Sequence, residues 1–145
     1  DWCIFVNEMI QFINMSPQID EDRIKEWLIS SALAYSVSVK KLVYSFVSTE
    51  HMLSLNLKYL NHNTHTDILT FPYGTNKNIV AEVYISTEQT FENAKIFNQS
   101  IENETLRLIS HGFLHCLGFH DKTKALKNKM SNEEDKMINM FHVKH

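Results

Sequence analysis

The chain has 145 residues, 43% of them hydrophobic and 11% aromatic, enough apolar material for one buried core and too little for two. With only 3 Gly, 2 Pro and 21% charged residues, the composition excludes a disordered, collagen-like or Pro-rich chain. Fourteen Lys plus Arg against seventeen Asp plus Glu give a formal charge of −3, which excludes coating of nucleic acid by bulk positive charge, so any such contact is local.

Residues 1–15 are rich in Ile, Phe and Val and read as one or two short strands, ended by Ser16-Pro17. Asp20 precedes Arg23, Ile24, Trp27, Leu28, Ala32 and Leu33, a helical spacing with an acidic first turn that predicts a helix over 20–36. Lys41–Val47 alternates and is β-branched or aromatic, which predicts a strand. Ser48 and Thr49 can cap a helix over 50–60 carrying Met52, Leu53, Leu57 and Leu60. Asp67–Tyr73 and Ile79–Ser86 read as strands joined by the short Gly74–Asn78 connection, a hairpin that makes the sheet at least partly antiparallel. Ser86-Thr-Glu-Gln89 is a capping box opening a helix over 87–99; another helix follows over 102–117, and Ser131-Asn-Glu-Glu134 repeats the box for a last one over 132–142. This order predicts one α+β domain over 1–145, a small mixed sheet of about four strands packed with about five helices.

No apolar run approaches the roughly 18 residues that span a bilayer. The apolar start, Trp2 to Val6, has neither a basic flank nor a small-residue cleavage site, so a soluble, cytoplasmic protein is expected. Cys3 and Cys116 are expected as buried free thiols, because such a core needs no disulfide and nothing marks secretion.

The chemistry concentrates in His111-Gly-Phe-Leu-His115-Cys-Leu-Gly118-Phe-His120-Asp121. On a helix, His111 and His115 stand one above the other on one face and can both aim a ring nitrogen at one ion. At 100° per residue they lie nearly opposite Leu106, Ile109, Phe113 and Leu117, the stripe expected to face the core. Gly118 suits a helix-ending position where the chain reverses and brings back a third ligand, His120 or Asp121. Three protein ligands leave a position for water, the pattern of a catalytic zinc site, and such an ion lowers the pKa of its water to about 7. A hydrolase follows from this pattern. His51, His62, His65, His142 and His145 have no such company and read as surface or loop residues, while Cys116 points to the core. Zinc peptidases use the same His spacing but place a Glu base directly after the first His; here that position is Gly112.

These residues resemble the YbeY family of rRNA maturation endoribonucleases, with its signature H-G-x-L-H-x-x-G-Y-D-H: His111, Gly112, Leu114, His115 and Gly118 match, with Phe119 in place of Tyr. Leu55-Asn56 to Tyr59, Thr66-Asp67 to Phe71-Pro72 and Ala81-Glu82-Val83-Tyr84-Ile85 are similar to three further family segments in the same order, and the resemblance covers about residues 40–125. The family's third metal histidine falls at Asp121, so the ligand set implied by register is His111, His115 and Asp121, holding one divalent ion, zinc by analogy. Catalytic parts are implied for His115 and for Arg107, which stands where the family often has Arg. The family's usual Arg after L-N-x-x-Y is Leu60 here, leaving Lys58 and Arg107 as the nearest cations.

The resemblance implies single-strand cleavage in maturation of the 3′ end of small-subunit rRNA and in ribosome quality control. The implied partners are rRNA and the small subunit or its assembly proteins, without DNA or membrane. Lys122, Lys124, Lys127 and Lys129 can form a local positive rim for phosphates, and Phe71, Tyr73 and Phe119 can stack on unpaired bases, although core packing is the expected fate of Phe71. The rival readings are a metal-stabilised ribosome-assembly factor that binds RNA without cutting, and a zinc metalloprotease.

Overall fold

The computed structural model describes residues 9–60 and 66–143. Cys3, His62, His65, His145 and the strand expected within residues 1–8 lie outside the described residues.

Among the described residues four strands, β1 (Ile10–Ile13), β2 (Ser38–Val47), β3 (Ile68–Pro72) and β4 (Asn78–Ser86), form one sheet in the order β1-β2-β4-β3. The first two pairings are parallel and β3–β4 is antiparallel, so the sheet is mixed, as the hairpin pattern required. The helices are α1 (Glu21–Ala34), α2 (Thr49–Leu55), α3 (Thr87–Ile96), α4 (Ile101–Cys116) and α5 (Lys124–Val143).

Period-2 alternation decides which strand residues meet the helices. Leu42, Tyr44 and Phe46 pair with Ala81, Val83 and Ile85, and all six are buried. They pack against Ile24, Trp27 and Leu28 of α1, Leu106, Ile109 and Phe113 of α4, and Met130, Met137 and Phe141 of α5. Two side chains fasten these layers by bonding helical carbonyls: Tyr44 Oη donates to Ile109 O at 2.9 Å, and Trp27 Nε1 donates to Met137 O at 2.7 Å. The opposite face presents Glu82, Tyr84 and Phe71. Cys116 is a buried free thiol, and burial pushes its pKa up to about 11, which makes it unreactive.

Among the boundaries that differ from the sequence reading, three have a local cause. The second strand begins at Ser38 rather than Lys41, because an irregularity between Val39 and Lys41 inserts Lys40 as an extra residue; Val39 and Leu42 thus share the core face although they are three apart. The helix expected over 50–60 is α-helical only to Leu55 and widens into a π-turn over Asn56–Leu60, leaving Leu57 exposed instead of on the apolar stripe. The last helix begins at Lys124, not near 132. Thr123 caps it, its hydroxyl accepting from Leu126 N at 3.1 Å and its carbonyl from Lys127 N at 2.8 Å, so the Ser131–Glu134 pattern lies inside a continuous helix and caps nothing. Among the described residues no helix is long and apolar enough to cross a membrane.

Candidate active site

Helix α4 positions the histidines. Ser100 starts it, its side chain accepting from Asn103 N at 3.0 Å, with Glu102 and Glu104 favourable in the first turn. From Glu104 to Cys116 every residue is buried except Arg107, His111 and His115, which follow one another at i+4 and so form a single line along the helix. They do not face open solvent: they form one wall of a cleft of about 640 Å³ whose other walls come from β3 and α5.

Gly112 explains how close that wall stands to the sheet. A Cβ there would meet Val83 Cγ1 at 3.1 Å and Ile68 Cδ1 at 3.3 Å, so the helix approaches β3 and β4 more tightly than a side chain allows, and the peptidase Glu has no room. Gly118 ends the helix as expected, with φ +104°. Gly118 N donates to His115 O at 3.1 Å and Phe119 N to Leu114 O at 3.1 Å, the paired bonds of a Schellman cap. This reversal returns Asp121 to the cleft.

Asp121 Oδ2 lies 3.6 Å from His111 Nε2. The other ring nitrogen, His111 Nδ1, is 2.6 Å from Glu134 Oε2 of α5. A carboxylate at Nδ1 favours the tautomer with the proton there and the Nε2 lone pair facing Asp121, the way a carboxylate behind the ring orients a metal-binding histidine. Burial works to lower the His111 pKa, but the hydrogen bond and charge of Glu134, with the charges of Asp121 and Asp67, outweigh it and hold the imidazole above its usual 6.5. Two ligand atoms each about 2.0–2.2 Å from one tetrahedral ion stand about 3.3–3.6 Å apart, so the His111–Asp121 spacing fits one edge of such a shell. Among the described residues no three His, Cys, Asp or Glu side chains already converge on one point.

His115 lines the same cleft. His120 does not: its ring stands edge-on to His115, centroids 5.5 Å apart, and it lines a separate smaller groove with Phe119, Leu126 and Lys129. Arg107 also lines the cleft, but its guanidinium is engaged by Glu134 Oε1 at 3.0 Å and Asp135 Oδ1 at 3.3 Å. Of the lysine series only Lys127 lines the cleft; Lys129 sits over the Phe119 ring, 5.7 Å from its centroid, and Lys58 sits over Tyr59 at 5.2 Å. Phe71 and Tyr73 are not brought there. Phe71 packs edge-on between Tyr59 and Tyr84 on the other sheet face, and the exposed Tyr73 Oη approaches Glu82 Oε1 at 3.5 Å.

The sequence reading missed Glu134, which is buried and ties Arg107 to His111, and a carboxylate pair at the far end of the cleft. There Asn93 Nδ2 donates to Asp67 Oδ2 at 3.0 Å and to Glu104 Oε2 at 3.3 Å. Glu104 is 2% exposed, burial raises its pKa, and its Oε1 has no partner among the described residues.

The family model for the endoribonuclease YbeY matches residues 8–142. The chain belongs to the YbeY endoribonuclease family. It is 36% identical over 124 residues to the endoribonuclease YbeY of Flavobacterium johnsoniae, covering 86% of this chain and 89% of that one. With the Flavobacterium psychrophilum YbeY it shares 37% over 118 residues, 81% and 84% of the two chains. A Thermotoga maritima protein known from its solution structure superposes with a TM-score of 0.63 at 22% identity over 92% of both chains, which shows a common fold. The YbeY match extends past the segments from which the resemblance was read and takes in the part of α5 that carries Glu134.

Proposed function

We propose that this YbeY-family chain is a metal-dependent endoribonuclease that cuts single-stranded RNA, with the 3′ end of small-subunit rRNA as its substrate and ribosome quality control as its setting. In this reading it is a cytoplasmic protein whose partners are rRNA and the small subunit or its assembly proteins. The observation that carries the reading is the His111–Asp121 edge, with the far side of His111 fixed by Glu134, inside a cleft large enough for a nucleotide.

His111, His115 and Asp121 would hold the ion, His115 by turning its ring into the cleft. The mixed N and O donor set suits zinc. When bound, the ion supplies Lewis-acid stabilisation of charge on a phosphodiester and an acidified water. The rest of the work falls to the chain. Glu134 keeps the His111 proton on Nδ1, so the opposite nitrogen remains a lone-pair donor. Arg107 is a positioning residue: paired with Glu134 and Asp135, it holds Glu134 against His111 rather than reaching the substrate. The buried residues around them on α4 fix the helix that carries this line of side chains.

The non-cutting assembly factor is the rival, favoured by Leu60 in the place of the family's Arg. Purified protein separates the two. We expect metal at one ion per chain, cleavage of single-stranded rRNA, and loss of both in His115→Ala with the fold retained. Asp121→Ala should lose the ion and His120→Ala should keep it. Undiminished cleavage by His115→Ala would show the reading to be wrong, and loss of the ion in His120→Ala alone would transfer the third ligand to that residue.

A further inference from the structure

We infer that Lys127 is the phosphate-binding residue of the cleft, holding a backbone phosphate of single-stranded RNA beside the histidine line. The inference deepens the function proposed above and rests on it. Among the described residues the cleft walls carry Asp67, Glu104, Asp121 and Glu134, against Arg107 and Lys127 as the lining cations. Such a surface repels a polyanion unless positive charge is free to meet it. Arg107 is not free, because two carboxylates occupy its fork. Lys127 is free: among the described residues its side chain has no carboxylate, hydrogen-bond or ring partner.

Its place on α5 is favourable as well. Lys127, Met130, Ser131 and Glu134 all line the cleft, at the i, i+3, i+4 and i+7 spacing of one helical face. Lys127 therefore lies on the same face as the carboxylate that orients His111, about 10 Å further along the axis at 1.5 Å per residue. A lysine acts on phosphate as a mobile point charge with three donors, which suits a flexible single strand bound without regard to sequence. The other lysines of the series are worse placed, since Lys122 and Lys124 line no part of the cleft and Lys129 is drawn over Phe119.

The test measures binding separately from cutting. A fluorescent single-stranded RNA oligonucleotide is titrated with the full chain in its metal-loaded form at several salt concentrations, at 4 °C and on a time scale short against cleavage, and steady-state cleavage is measured in parallel. Lys127→Gln should weaken binding about ten-fold and reduce the log–log salt slope by about 0.7, the value for one phosphate contact on a single strand. KM should rise while kcat changes little, metal content should be unchanged, and Lys127→Arg should restore binding. Lys25→Gln, the same charge change on α1, should leave binding as in the wild type. Wild-type affinity and salt slope in Lys127→Gln would overturn the inference; so would equal losses in Lys122→Gln and Lys124→Gln, which would mean a diffuse rim. A wild type that binds RNA but cuts none would remove the nuclease reading while Lys127 is still scored on binding; a wild type that binds none would remove the inference too.

Discussion

Glu134→Gln is the most informative single change, because one buried carboxylate serves two partners. Glu134 is 5% exposed and accepts from Arg107 Nη1 at 3.0 Å and from His111 Nδ1 at 2.6 Å. An amide of the same shape keeps one acceptor oxygen and turns an N–H₂ towards the other donor, so one bond survives and the other becomes a donor–donor contact. A charge-assisted hydrogen bond contributes about 1.5–3 kcal/mol. The Arg107 side chain is 36% exposed and keeps Asp135, so its share is reduced by solvent, and about 2 kcal/mol is expected in total. For a chain of this length that lowers Tm by about 6 °C. With the Nδ1 proton no longer fixed, metal affinity and cleavage rate should each fall about 10- to 100-fold, the usual effect of removing such a partner. Circular-dichroism melts, metal content and cleavage rate report the three effects. Glu133→Gln is the comparison: it removes the charge that strengthens the bond from the Tyr35 hydroxyl at 2.6 Å and pairs Lys136 at 2.9 Å, costing stability without touching His111, so its rate should stay at the wild-type value. A Glu134→Gln protein with wild-type Tm and rate would refute the idea that Glu134 orients the histidine.

Two further substitutions test the frame around the site. Gly112→Ala gains about 1 kcal/mol of helix propensity but drives a methyl to 3.1 Å from Val83 and 3.3 Å from Ile68, an overpacking cost of about 1–3 kcal/mol; a net loss is expected in urea unfolding, and a more stable variant would show that α4 can lift from the sheet. Glu104→Gln probes the buried carboxylate, whose pKa is raised by burial in the fold. The native state holds that proton longer than the unfolded chain, so as pH climbs from the ordinary carboxylate range through the raised value, the wild type loses stability. The variant, which keeps the Asn93 contact, should exceed the wild type in Tm at pH 8 and by less at pH 5; a gap that is constant or larger at pH 5 would remove burial as the cause.

What could be read from sequence was what depends on neighbours along the chain. The His111–His115 pair and Gly118 are recognisable because a helix repeats every 3.6 residues and only a left-handed residue closes it this way; the β3–β4 hairpin is recognisable because a short connection containing Gly74 and Asn76 separates two β-type runs. Glu134 was hidden because its partners are 23 and 27 residues away in sequence, and because Ser131-x-x-Glu134 imitates a cap whose role Thr123 already fills. The start of β2 was hidden by the extra Lys40, which breaks alternation, and the end of α2 by a π-turn that no side-chain periodicity announces. A helical wheel places the histidines opposite the core stripe, and there they are; what the wheel does not show is that α5 lies over that side and makes it the wall of a cleft.

That covering helix also changes the electrostatics of the site. With α5 absent, the histidines, Arg107 and Asp121 would share an open surface where water screens each charge. With α5 in place, Glu134 neutralises Arg107, and among the described residues the walls keep a carboxylate excess over a single free lysine. A polyanionic substrate can occupy such a space only if positive charge arrives with it or is held there beforehand, and in the proposed reading the His111–Asp121 edge, with N and O atoms 3.6 Å apart, is where a divalent cation would supply it. The same reasoning accounts for the proposed division of work between the two lining cations: Arg107, fixed by two acids, sets the geometry of the histidine, and Lys127, fixed by none, is left to meet the RNA.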